Sequence, residues 1–325
     1  MHLVKLIQAI FVVATTLLSG AVVAVDAYPS SAIKLVVPFP PGGPSDLVAR
    51  VLSDEIQRAL HQSVIVENKT GASGTLGASS VARASADGYT LLLGNVSTQS
   101  VVPATMKNLP YHPEHDFVSV AQIANAPFLL IINPKVPAKS LPDLIRLMRE
   151  RPSGYAHGAS GVGSVIHLAG VQFEQATNTK AKVVQYRGGQ PVLFDLVAGE
   201  LQFAFMDVGS SAPFVKDGRV RALCVAAPHR AASMASIPTC AEEGLKGFEV
   251  PGWIGLFAPA RTPKPVIEVL SKAIASALGQ ASTRRRIADA GLEPAFADAT
   301  ALSSKVTESF KWAAELTRTA NIELK

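Results

Sequence analysis

The stretch that decides the fold is IKLVVPFPPGGPSDLVARVLSDEIQRAL, residues 33–60. A β-branched apolar run leads through a Pro- and Gly-rich turn into a segment whose apolar residues repeat at helical spacing. One helical stripe collects Leu47, Val48, Val51, Leu52, Ile56, Ala59 and Leu60. A buried strand followed at once by an amphipathic helix is the repeating unit of α/β proteins.

The same unit recurs further along the chain. SVIVEN leads through KTGASGTLG into ASSVARAS, YAHGA leads through SGVGS into VIHLAGVQFEQATN, and KVVQY leads through RGG into QPVLFDLVA. Strands joined by helical crossovers run parallel to one another. The sequence therefore predicts an α/β fold with parallel-rich sheets flanked by helices.

The length of the chain suits two lobes better than one core. Two strand-like pieces of VSVAQIANAPFLLIINP flank an Asn-Ala-Pro interruption, where we predict the first crossing between lobes, near 123–127. VRALCVAA marks the return crossing, near 222–228. The predicted boundaries are 28–124 with 227–325 for lobe 1 and 125–226 for lobe 2.

Residues 1–27 have the features of a secretory signal peptide. A short basic start precedes a long apolar run, which ends in small residues at Val25-Asp26-Ala27. No cysteine lies near this point, so a lipid-anchored N-terminus is excluded. The interpretation favours an exported mature protein, and an uncleaved anchor is the alternative because the run is long enough to span a bilayer.

Composition argues against a nucleic-acid partner and leaves open whether the two cysteines form a disulfide. The formal net charge is +5, the basic residues are scattered, and aromatic residues make up only 6%, which argues against a nucleic-acid partner. A mildly basic chain favours anionic small molecules as readily as anionic surfaces. Cys224 and Cys240 either form a disulfide in an oxidising compartment or remain buried thiols.

Ser160 is the first candidate for catalysis. The nucleophile elbow of α/β-hydrolases requires Gly-x-Ser-x-Gly, whereas residues 158–162 read GASGV and residues 71–75 read GASGT. The single pair His112 and His115 is too few ligands for a metal site, and neither glycine-rich turn has dinucleotide-binding spacing. We therefore expect no enzyme activity, no metal and no cofactor.

Two strand-to-helix turns remain, PFPPGGPSD and GASGVGSVIH. Each brings the free N–H groups of a helix N-terminus to the carboxyl edge of a sheet, where the helix dipole favours an anion. In the second turn the hydroxyls of Ser160 and Ser164 can donate to a carboxylate. Either turn alone is also explained as a tight capped connection, but two turns in different lobes form a facing pair.

The motifs VVPFPPGGPSDLVAR, VIVENKTGASGTLGASSVARASADGYTLLLG and HGASGVGSVIHLAGVQFE occur in this order behind the apolar leader. Together they resemble the Bug family of periplasmic solute-binding receptors, which serve tripartite tricarboxylate transporters. The resemblance covers essentially the whole mature chain. It implies a two-lobed periplasmic binding protein of type II, a Venus flytrap that closes over its ligand in the periplasm.

The resemblance also implies the contacts with the ligand. The set is Phe39, Pro40, Gly42, Gly43, Ser45, Asp46, Asn95, Ser97, Thr98, Ser160, Gly163, Ser164, His167, Tyr186, Gly188 and Asp207. Two positions depart from the family pattern: NVSTQS replaces a Thr-His segment after the third strand, and Arg187 replaces a lysine. Asp46 and Asp207 are expected to discriminate between ligands by pairing with an amine or hydroxyl, or by repelling excess charge.

The implied function is that of a receptor for a small organic carboxylate, expected to be a monomer that presents its closed form to membrane transport subunits. Three alternatives remain: a sensor that engages a kinase, an exported hydrolase that uses Ser160, and an adhesion or interaction protein.

Overall fold

A computed structural model describes residues 28–322. The predicted signal peptide, residues 1–27, lies outside the described residues. The described chain contains two β-sheets, both flanked by helices, and the turns predicted to bind an anion are divided between them.

The first sheet has six strands in the order β11-β4-β10-β3-β1-β2. These strands are β1 (Ile33–Val37), β2 (Val64–Asn68), β3 (Thr90–Asn95), β4 (Phe117–Asn125), β10 (Trp253–Pro259) and β11 (Glu293–Asp298). The associated helices are α1 (Pro44–Leu60), α2 (Thr75–Ala82), α3 (Val102–Thr105), α8 (Lys264–Gly279), α9 (Ala281–Asp289) and α10 (Ala299–Thr319). A π-helical turn, Ser97–Val101, joins β3 to α3.

The second sheet has five strands in the order β7-β6-β8-β5-β9. These strands are β5 (Phe128–Ile132), β6 (Ala156–Ala159), β7 (Lys182–Gln185), β8 (Phe203–Asp207) and β9 (Arg221–Val225). The associated helices are α4 (Leu141–Glu150), α5 (Val165–Thr177), α6 (Gly189–Ala198) and α7 (Val208–Lys216).

The structure confirms the α/β class and the two-lobed fold but corrects the prediction of parallel-rich sheets. Both sheets are mixed. β1 pairs in parallel with β2 and β3, and β6 with β7 and β8, because helical crossovers join these strands. β4, β5 and β10 pair antiparallel with all their neighbours. Their connections carry the chain between sheets, so the βαβ rule does not apply to them.

The chain passes from the first sheet to the second between β4 and β5. β4 ends at Asn125 and β5 begins at Phe128, while the N–H of Ala126 donates to the Gly252 carbonyl at 2.9 Å. β9 ends in the second sheet at Val225, and the next strand, β10, returns to the first sheet. Two adjacent segments of backbone thus connect the sheets.

The question left open by the two cysteines is resolved. Cys224 and Cys240 form a disulfide, and both are buried. Their cross-link closes a short loop directly after β9, where Val225 also bridges to Thr239. Within residues 28–322, no helix combines the length and the apolar character needed to cross a membrane.

Candidate functional site

The first predicted turn joins β1 to α1. Pro44 occupies the first position of the helix, where its missing N–H costs nothing, and Gly43 is the N-cap. Gly42 has φ +83°, a left-handed conformation that favours glycine. The turn therefore delivers an open helix N-terminus at the carboxyl edge of the first sheet. The Ser45 hydroxyl has no hydrogen-bond partner among the described residues.

Asp46 lies in the first turn of α1 and is 2% exposed. Its carboxylate accepts hydrogen bonds from the Gly42 N–H, the Arg50 guanidinium and the Asn68 amide. Burial acts to raise the pKa of Asp46, but the hydrogen bonds from Arg50, Gly42 and Asn68 outweigh it and lower the pKa below its ordinary value. Asp46 is therefore an ionised and fully bonded group.

The polar end of β3 forms a self-contained turn. The Asn95 side-chain oxygen accepts from the N–H groups of Ser97 at 3.0 Å and Thr98 at 3.2 Å. A methyl group at Gly74 would lie 2.7 Å from the Thr98 methyl and 3.5 Å from the Phe39 ring. The β3 turn and the first binding turn thus pack against the same glycine.

The second predicted turn joins β6 to α5. Ser164 is the N-cap and accepts from the His167 N–H at 3.3 Å, while the Gly163 N–H donates to His167 Nδ1 at 3.0 Å. An Nδ1 that accepts a hydrogen bond carries no proton, so the neutral ring holds its proton on Nε2. Burial, followed by the charge of nearby His157, lowers the pKa of His167 to about 4. The Ser160 hydroxyl has no partner among the described residues.

Tyr186 follows β7 beside the second turn, because its N–H donates to the Ala159 carbonyl at 2.8 Å. Its hydroxyl donates to Asp195 at 2.6 Å, and burial together with this bond raises the pKa of Tyr186 to about 12. Gly188, with φ +110°, is the N-cap of α6. The Tyr186 hydroxyl is thus directed to a helix of its own lobe.

Asp207 is the N-cap of α7. Its Oδ1 accepts from the Ser210 N–H at 2.8 Å. Burial raises the pKa of Asp207, against the opposing effect of the Ser210 bond. The two acidic candidates therefore differ, since Asp46 has its ionised form stabilised by donors and Asp207 has its ionised form disfavoured by burial.

Turns from the two sheets approach one another closely. A methyl group at Gly163 would lie 2.7 Å from the Thr105 Cβ. A methyl group at Gly209, in the first turn of α7, would lie 2.7 Å from the Ala290 carbonyl and 3.4 Å from Pro44. The beginnings of α1 and α7, and the second turn and α3, are thus adjacent across the two sheets.

Sequence reasoning missed Asn68 and Arg50, which hold Asp46 in place. The signal for Asn68 is its position as the last residue of β2, which ends level with β1 at the pair Val37 and Asn68. The signal for Arg50 is its spacing of four residues from Asp46 on a helix. Neither residue belongs to the motif that marks the turn itself.

The other early candidates also find their places. Phe39 is partly buried, and Pro40 is exposed at the surface of the first turn. The rings of His112 and His115 lie 4.1 Å apart. Within residues 28–322, no group of three or more His, Cys, Asp or Glu side chains is arranged to hold a metal ion.

Two mixed sheets, joined by two backbone crossings and bringing helix N-termini towards each other, define the class of two-lobed solute-binding proteins. Residues 48–322 match the family model described as the tripartite tricarboxylate transporter family receptor. The chain is also 33% identical to protein BugT of Bordetella pertussis over 298 residues, which cover 91% of each chain. The protein belongs to this receptor family, and the predicted resemblance to the Bug proteins is confirmed.

Solved structures of similar chains carry carboxylate ligands. Rpa4515 of R. palustris with adipate is 31% identical, has a TM-score of 0.82, and the match covers 91% of this chain and 99% of that one. MatC of Rhodopseudomonas palustris with bound malate is 32% identical, has a TM-score of 0.76, and the match covers 89% and 99%. The protein is thus related to carboxylate-binding receptors, and these family members are solute-binding proteins.

Proposed function

We propose that this protein is a periplasmic receptor that holds a small carboxylate, with dicarboxylates as the leading class, between its two lobes. The observation that carries the proposal is that the turns leading into α1 and α5 belong to different sheets and that each lies against an element of the opposite sheet, Pro44 beside Gly209 and Gly163 beside Thr105. The solved relatives with adipate and malate support the ligand class.

The chemistry of the contacts supports binding without a cationic side chain. The predicted contact set contains no Lys or Arg. The donors are the N–H groups of the two helix N-termini, the hydroxyls of Ser45, Ser160 and Ser164, and the Nε2–H of His167. Charge-assisted hydrogen bonds contribute about 1.5 to 3 kcal/mol each, so a few of them are sufficient for micromolar affinity after the entropic cost of association.

The proposal also covers export of the protein, its oligomeric state, delivery of the ligand and the boundaries of the two lobes. The leader is removed after Ala27, the mature chain acts as a monomer, and lobe closure presents the bound ligand to the membrane subunits of a tripartite transporter. Lobe 1 comprises 28–124 together with the C-terminal part of the chain, and lobe 2 begins at 125. The disulfide and the Val225–Thr239 bridge support assigning the segment after β9 to lobe 2 as far as the second crossing, near Gly252.

The proposal assigns Ser160 to ligand binding rather than to hydrolysis. His167 Nδ1 is occupied by the Gly163 N–H, and His157 is fully buried and stacked on Phe203 at 5.2 Å between ring centroids. These arrangements disfavour either imidazole as a general base for Ser160. The expected outcome is binding without turnover.

Isothermal titration and thermal unfolding with malate, adipate and citrate test the function. We expect at least one of these ligands to raise the melting temperature and to bind with micromolar affinity. Ser160→Ala with Ser164→Ala should weaken binding by roughly tenfold or more. Ser304→Ala, an exposed serine on α10 whose hydroxyl donates to Thr300, is the matched control and should bind like the wild type.

Failure of all three ligands to stabilise the wild type would contradict the carboxylate-receptor proposal. Turnover of an ester substrate that disappears in Ser160→Ala would favour the hydrolase instead.

A further inference from the structure

We infer that Asp46 is a positioning residue that fixes the first binding turn, and that it does not contact the ligand. The inference rests on the proposed function, because it concerns the turn assigned to carboxylate binding. It replaces the expectation that Asp46 discriminates between ligands by its charge.

The two oxygens of Asp46 are already fully used. Oδ2 accepts from the Gly42 N–H at 2.9 Å and from Arg50 Nε at 3.0 Å. Oδ1 accepts from Asn68 Nδ2 at 2.9 Å and from Arg50 Nη2 at 3.2 Å. A ligand amine or hydroxyl would therefore have to displace an existing donor to reach this carboxylate.

The bonds tie together the parts of the turn that have no other regular structure. Gly42 lies four residues before Asp46 in the left-handed region, and its N–H is held by the carboxylate. Asn68 donates to Asp46 and also to the Phe39 carbonyl at 3.1 Å, so one amide group holds both ends of the turn. The turn between β1 and α1 is thus anchored to the end of β2.

The same bonds remove the charge of Asp46 from the ligand's environment. The side chain is 3% exposed, and its partner Arg50 is 55% exposed, so the ion pair is directed outward from a buried carboxylate. The Gly42 N–H is occupied and is unavailable to a ligand. The turn therefore offers an anion its helix N-terminus and the Ser45 hydroxyl, with the nearby negative charge neutralised.

The two hypotheses for Asp46 predict different effects of substitution. A charge discriminator, once neutralised in Asp46→Asn, would change the ratio of affinities for a dianion and a monoanion of equal size. If Asp46 is a positioning residue, Asp46→Asn would weaken the affinities for the dianion and the monoanion by the same factor. Removing Asn68, which acts through Asp46, would also weaken both affinities equally. Adipate and its monomethyl ester are the probes.

We expect Asp46→Asn and Asn68→Ala each to weaken adipate and the monoester by a similar factor, roughly tenfold. The double variant should lose less than the product of the two single losses, because both substitutions break one network. Asp143→Asn is the matched control, since Asp143 also lies in the first turn of a helix and accepts a backbone N–H from four residues before it, that of Lys139. This control should leave both affinities unchanged.

Amide hydrogen exchange at Gly42 tests the positioning role without any ligand. In the wild type we expect this exposed N–H to exchange slowly because Asp46 holds it, and to exchange roughly tenfold faster in Asp46→Asn. Thermal unfolding of each variant without ligand shows whether that variant folds. If Asp46→Asn does not fold, Asn68→Ala provides the test of the positioning role.

The inference is overturned if Asp46→Asn changes the dianion-to-monoanion ratio several-fold while Asn68→Ala leaves both affinities intact. It is also overturned if exchange at Gly42 is unaffected by Asp46→Asn. A wild type that binds neither probe, nor malate nor citrate, with Gly42 exchange still dependent on Asp46, contradicts the proposed function and leaves the positioning role supported.

Discussion

His167 Nδ1 accepts the N–H of Gly163 at 3.0 Å, and this bond fixes both the turn and the protonation state of the ring. Gly163 has φ +72°, so the turn reaches the helix through a conformation that few other residues adopt. A proton on Nδ1 would remove the acceptor and place two donors face to face. The folded protein therefore requires a neutral imidazole at this position.

Acidification should reveal this requirement. The pKa of His167 is lowered from 6.5 to about 4 on folding, so below about pH 6.5 the unfolded chain binds a proton that the native state refuses. The free energy of unfolding should therefore fall between about pH 6.5 and pH 4, by about 1 kcal/mol at pH 5 once solvent screening is allowed for. His167→Asn retains an acceptor oxygen near the Nδ1 position and does not titrate. Urea unfolding should show the wild type losing more stability than this variant between about pH 7 and pH 5.

His157 and Glu174 lie near His167, so the comparison with His167→Asn is needed to isolate the contribution of His167. Equal pH dependence in the wild type and the variant would mean that His167 is not the responsible group.

Reduction of the disulfide should destabilise the protein without preventing binding. The Cys224–Cys240 bond closes a loop with a sequence separation of 16, for which chain entropy predicts a contribution of about 3 kcal/mol. The double variant Cys224→Ser with Cys240→Ser should lose a similar amount in denaturant unfolding. Adding reductant should lower the free energy of unfolding of the wild type and leave that of the double variant unaffected. If the oxidised and reduced wild type were equally stable, the disulfide would make no contribution to the stability of the fold.

The local units of the fold were predictable from sequence because their signals are short-range. The run from β1 through Pro44 into α1, and that from β6 through Ser164 into α5, each carry strand, turn and helix signals within a few residues. Both turns therefore fall at the predicted positions. The antiparallel placement of β4 and β10 was not predictable, because it depends on which strands meet after the chain has crossed between sheets.

The hydrogen bonds that hold the first binding turn in place were also not predictable from the sequence. Asn68 and Asp46 are 22 residues apart, and their contact depends on the register that sets Asn68 beside Val37. A motif identifies Asp46 as important, but only the four donors around it distinguish a ligand contact from a positioning residue. The disulfide is a similar case, since the spacing of two cysteines permits a bond without requiring it.

A single methyl group at Gly209 should prevent the lobes from approaching. In Gly209→Ala the new Cβ would lie 2.7 Å from the Ala290 carbonyl and 3.4 Å from Pro44, closer to the carbonyl than ordinary packing allows. Alanine is the better helix former, and within its own lobe the new Cβ would meet the side-chain end of Asp207, with Oδ1 at 3.3 Å, so the isolated lobe should lose little stability. We expect ligand affinity to fall roughly tenfold and the radius of gyration with ligand, measured by small-angle scattering, to increase.

Gly189→Ala is the matched control for that experiment. It adds the same methyl group to the first turn of α6, where the nearest atom is the flexible end of Met206 at 3.3 Å. Its affinity and scattering should match those of the wild type. If Gly209→Ala bound the ligand with wild-type affinity, the contact between Gly209 of α7 and the Ala290 carbonyl would adjust without affecting lobe closure.

Ser164 is the N-cap of α5 and also a proposed ligand contact, and a charged substitution separates these two roles. As N-cap it accepts the His167 N–H, and aspartate serves the same purpose at Asp207 and Asp298, which cap α7 and α10. Ser164→Asp should therefore keep the free energy of unfolding within about 1 kcal/mol of the wild type. It also places a negative charge where a carboxylate is proposed to bind, so adipate and malate should bind far more weakly, by a hundredfold or more, on the order of 3 kcal/mol. Titration calorimetry and urea unfolding of the same preparation measure both quantities, and stable protein with intact affinity would place the ligand away from the second turn.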